Sequence, residues 1–80
     1  MKEYIATFHT HLSALLTCRT LTGLGTQARM MPVPRKLSSS CGTCVRYLAE
    51  DAHLSHMDED VEAVYEKIGK EDYSLLMNAD

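Results

Sequence analysis

Apolar and polar positions along the chain change period several times, and each change marks an element. Glu3-Tyr4-Ile5-Ala6-Thr7-Phe8 mixes β-branched and aromatic residues and predicts a first strand. After His9-Thr10-His11, Leu15, Cys18 and Leu21 fall on one helical face, broadened by Leu12, Ala14 and Leu16. Thr10 stands where an N-cap belongs, and Gly23 and Gly25 bracket the end, one of them for a left-handed position. Thr26 to Met31 reads as a second strand, halted by Pro32. Thr43 to Ala49 reads as a third, with Val45 and Tyr47 on one face and Cys44, Arg46 and Leu48 on the other.

From Leu54 the spacing returns to steps of three and four. Leu54, Met57, Val61, Val64 and Ile68, with Tyr65 beside them, predict a second helix. Asp58, Glu59 and Asp60 sit early in it, Lys67 late and Gly69 after it, the charge order a helix dipole favours. Asp72 to Met77 closes the set as a fourth strand with Tyr73, Leu75 and Met77 on one face, and 78–80 is a frayed tail. The order β-α-β-β-α-β predicts an α+β fold of the ferredoxin-like split βαβ type. This means a four-stranded antiparallel sheet with two helices on one face, a single domain over 1–80. Its usual strand order sets strands 1 and 3 side by side, so His9, Thr10, His11, Arg35, Lys36, Cys41 and Cys44 are expected at one sheet edge.

The stretch from Pro32 to Cys44 breaks all periodicity. It holds both prolines, a serine triplet and two of the three cysteines. Proline rings stop a strand, and serines with glycine favour turns, so Cys41 is expected on an irregular loop. Composition adds little except exclusions. With 80 residues, 45% apolar, 24% charged and net charge −3, the chain is an ordinary small globular protein. The charge argues against nucleic acid and anionic membranes as partners, and no apolar run is long enough to span a bilayer. The expected compartment is the cytoplasm, where an odd set of three cysteines with one CxxC is chemistry rather than a disulfide scaffold.

Tyr4-Ile5-Ala6-Thr7-Phe8, Met31-Pro32-Val33-Pro34-Arg35 and above all Leu37-Ser38-Ser39-Ser40-Cys41-Gly42 resemble a family of small bacterial proteins described as selenium/sulfur carrier-like. The resemblance covers nearly the whole chain. It implies that Cys41 carries the chalcogen, with Pro34, Arg35, Ser40 and Gly42 as motif companions, and that the role is trafficking rather than turnover. Many members have an apolar residue where this chain has Cys44, so the resemblance does not speak for that thiol.

The residues argue the same chemistry separately. A carrier needs a thiolate that accepts sulfur or selenium and passes it on, and thiolates are favoured near cations and helix N-termini. Arg35, Lys36, the first helix and His9 or His11 are candidate sources of that field. Gly42 opens backbone N–H groups to an anion, with Ser39 and Ser40 adding hydroxyls and Thr10 beside them. Cys44 is a candidate resolving thiol that would release the cargo and leave a Cys41–Cys44 disulfide. Cys18 reads as a core hydrophobe, and His53 and His56 as surface residues.

No resident cofactor is expected, only transient sulfur or selenium. The partners are a protein donor and acceptor, with self-pairing of the open sheet as an option. Two other readings remain. One is a small thiol–disulfide exchange protein using Cys41 and Cys44, although its CxxC opens a strand rather than a helix. The other is a Cys2His2 zinc module from His9, His11, Cys41 and Cys44, if the fold gathers them.

Overall fold

The computed structural model describes residues 1–79. Its elements are β1 (Lys2–Phe8), α1 (His11–Gly23), β2 (Gln27–Pro32), β3 (Thr43–Ala49), a 3-10 turn (Leu54–His56), β4 (Val61–Lys67) and β5 (Tyr73–Asn78). The strands form one sheet in the order β2-β3-β1-β4-β5, and every neighbouring pair is antiparallel.

This overturns the ferredoxin-like expectation: the described residues form five strands and one α-helix, and the predicted second helix is the 3-10 turn followed by β4. The reason lies in β1, which is buried without interruption from Tyr4 to Phe8. Such a strand is central and needs a hydrogen-bonding neighbour on each side. β3 takes one side, and Val61-Glu62-Ala63-Val64-Tyr65, rich in β-branched and aromatic residues, takes the other. Upstream, His53 adopts a left-handed backbone (φ 54°), and the Asp58 N–H donates to Thr17 Oγ1 at 3.0 Å, fixing a turn where a helix would have to run.

The expected adjacency of the first and third strands is present, with Tyr4 opposite Tyr47 and Thr7 opposite Cys44. α1 begins at Thr10, whose side chain accepts from the Ser13 N–H at 3.1 Å, and ends before Gly25, which takes the left-handed conformation (φ +84°). Helix residues Ala14 and Leu21 pack with Tyr4, Ala6, Phe8, Val45, Tyr47 and Val64 of the sheet. The Tyr4 and Tyr47 rings stack at 5.2 Å, and the Tyr47 hydroxyl donates to Ala52 O at 2.5 Å, tying down the chain that leaves β3. Cys18 lies partly buried against this core. His56 is exposed as expected, but His53 is half-buried, with Nε2 at 3.4 Å from Thr26 Oγ1.

The opposite sheet face is also covered. Ile5, Thr7 and Cys44 point away from α1 and are buried, and Leu37 of the loop between β2 and β3 shares a groove with Tyr65 and Leu75 on that side. The cysteine loop is thus the second layer over the sheet.

Candidate functional site

Loop 33–42 is anchored where Pro32 pairs with Thr43. Inside it, the Val33 N–H donates to Gly42 O at 3.1 Å, the Leu37 N–H to Pro34 O at 3.0 Å and the Gly42 N–H to Ser39 O at 3.3 Å. Gly42 sits at φ +73°, a left-handed backbone that only glycine adopts without cost. Ser39 Oγ donates to Phe8 O at 2.9 Å, which fastens the loop to the end of β1.

Cys41 is half-buried at the loop's end. Its Sγ donates to Thr43 O at 3.4 Å and lies 3.7 Å from Ser39 Oγ. Cys44 lies beneath, fully buried, with Sγ 3.8 Å from Pro32 O. Burial, and secondarily the charge of a Cys41 thiolate, push the Cys44 thiol up to about 11. The two thiols therefore occupy different environments, one on a loop and one in the core.

The turn between β1 and α1 meets this loop, so part of the expected convergence is present. His9 Nδ1 lies 3.4 Å from Ser40 Oγ, and His11 Nδ1 lies 3.4 Å from Thr43 Oγ1. Thr10 caps α1 between them. The cations do not join them. Arg35 is exposed and makes no hydrogen bond or ion pair among the described residues, and Lys36 lines the groove with Leu37, Tyr65 and Tyr73.

The group at the site that the sequence did not reveal is Glu62. Its carboxylate accepts from the Ser40 N–H at 3.1 Å and from the Ser40 hydroxyl at 2.6 Å, and its Oε2 lies 3.3 Å from His9 Nδ1. The loop donors expected for an anion nest are thus engaged internally, Ser40 by Glu62 and Gly42 by Ser39. A helical reading of Leu54 to Ile68 hid Glu62. Read as a strand, Val61 to Lys67 shows an acid between two buried residues.

Among the described residues, no three His, Cys, Asp or Glu side chains are placed to hold a metal ion, so His9, His11, Cys41 and Cys44 are not gathered as a tetrahedral set. None of the described helices is long and apolar enough to cross a membrane.

Comparison with known families matches the chain to the family model described as "Putative Se/S carrier protein-like" over residues 3–72. The chain belongs to this family. The matched span runs from the second residue of β1 to the residue before β5, so in this Se/S carrier-like protein it contains nearly all of β1, the cysteine loop and the strand that bears Glu62. No curated protein and no solved structure matches the Se/S carrier-like chain.

Proposed function

We propose that this protein carries sulfur or selenium as a persulfide-type adduct on Cys41, between a protein donor and a protein acceptor in the cytoplasm. The observation that supports this reading is the contrast among its thiols. Among the three thiols Cys41 alone lies on a loop, while Cys44 is sealed in the sheet beneath it and Cys18, on the helix, packs against the core.

Loading is a transfer without net oxidation. The Cys41 thiolate attacks the outer sulfur of a donor persulfide, an Sγ–S bond forms, the donor's S–S bond breaks, and the donor leaves as a thiolate. Delivery is the same step with the acceptor's thiolate as nucleophile. Selenium follows the same course from a donor bearing a selenium terminus. The Thr43 carbonyl accepts the Cys41 S–H, and Ser39 Oγ, 3.7 Å from Sγ, is placed to donate to the thiolate once that proton has left.

Intact-mass spectrometry before and after incubation with a persulfide donor tests the proposal. The expected result is a gain of one sulfur, reversible by dithiothreitol, that is lost in Cys41→Ser and kept in Cys44→Ser. Equal loading of Cys41→Ser would sink the assignment. A two-hydrogen mass loss on mild oxidation with no sulfur uptake would point instead to Cys41–Cys44 thiol–disulfide exchange.

A further inference from the structure

Glu62 is outside the regular ladder. The β1–β4 register passes from Thr7 opposite Ala63 to Phe8 opposite Val61, so Glu62 is the extra residue of a β-bulge. A bulge breaks the inward–outward alternation and re-aims one side chain. Here the re-aimed carboxylate meets Ser40, the residue immediately before Cys41, and takes both of its donors with one oxygen each. Hydrogen bonds to an ionised carboxylate are of the strong class. The Glu62 side chain is only 15% exposed, although its partner Ser40 lies at the surface.

We propose that Glu62 is a positioning residue for Cys41, acting through Ser40 to latch the loop so that Sγ stays half-covered against stray thiols and electrophiles. The cargo to be protected rests on the carrier reading; the latch itself does not.

The groups that face this carboxylate are Ser39 and Ser40 from the loop and His9 from the turn after β1. Burial raises its pKa, but the two hydrogen bonds from Ser40, with the nearby Ser39 and the charge of His9 adding to them, outweigh that and hold it below the usual carboxylate range. The latch is therefore whole at neutral pH. It loosens only as pH falls through that depressed value.

The test is the rate at which dipyridyl disulfide, which titrates thiols down to acid pH, modifies Cys41, resolved by peptide mass spectrometry. Glu62→Ala is expected to raise the neutral-pH rate about tenfold, the factor that about 1.4 kcal/mol produces. Glu62→Gln, which keeps one carbonyl acceptor, should recover most of the protection. Ser40→Ala should raise the rate less and add nothing on top of Glu62→Ala, as expected for residues acting as a unit. The wild-type rate should climb toward the Glu62→Ala rate in acid.

An unchanged rate in a folded Glu62→Ala protein, or additive effects with Ser40→Ala, overturns the latch. Should Glu62→Ala fail to fold, Glu62→Gln decides, by a rate above wild type that lacks the acid rise. Sulfane-sulfur uptake by the same samples separates the two ideas. A wild type that takes up none defeats the carrier reading, while the modification rates judge Glu62 independently.

Discussion

Cys44 should be chemically silent while the protein is folded. With its thiol pushed up to about 11, the thiolate fraction at neutral pH is about 10⁻⁴, against about 1% for a cysteine at the ordinary 9.0. Nucleophilic rate falls by roughly 100-fold from ionisation alone, before its complete burial is counted. Iodoacetamide labelling at mildly alkaline pH, followed by peptide mass spectrometry, should show Cys41 modified first and Cys44 only under denaturant.

The same burial has a thermodynamic signature. The folded thiol ionises near 11 and the unfolded one near its ordinary 9.0. Between those values the unfolded chain gives up its proton first, so stability present below pH 9 is lost as pH rises toward 11. Two units correspond to about 2–3 kcal/mol. Tyr47 is also raised, chiefly by burial. The comparison that isolates the thiol is therefore urea unfolding of wild type and Cys44→Ala across that range. Parallel pH profiles for the two, or Cys44 labelled within tenfold of Cys41 in the folded protein, would refute the reasoning. A Cys44 that stays silent also limits its resolving role to states in which the loop has opened.

Tyr47→Phe removes the hydroxyl bond to Ala52 O and should cost about 1 kcal/mol in a denaturant titration, with the sheet intact by circular dichroism. Gly42→Ala meets no atom within 4 Å of the new Cβ, yet φ +73° should make it costly by about 1–2 kcal/mol. Its effect should appear as faster amide exchange confined to loop 33–42.

Local signals carried four strands, β1, β2, β3 and β5, and the first helix. Thr10 as N-cap, Gly25 as the left-handed exit and Pro32 as a stop are single-residue constraints that tertiary contacts do not override. The stretch from Leu54 to Ile68 failed because its three-and-four spacing fits a helical face while its Val and Tyr residues also fit a strand. What decided between them was non-local, the open side of β1, and only its unbroken burial pattern hinted at it. The site was legible to the same degree. Cys41, Ser39, His9 and His11 came together because β1 and β3 are neighbours, which the topology expected. Arg35 and Lys36 did not join them, and Glu62 did, since its arrival depends on a strand and a bulge that the periodicity concealed.

The pairing of Pro32 with Thr43 gives the chemistry an unusual independence from the scaffold. Because the ladder between β2 and β3 already holds both ends of 33–42 together, the sheet supplies the loop closure whatever the interior of the segment does. Doubling such a loop's length adds only about 0.6 kcal/mol of closure entropy. The stretch before Ser39 can therefore change length at small entropic cost, while the Ser39–Phe8 and Ser40–Glu62 bonds keep Cys41 against the sheet.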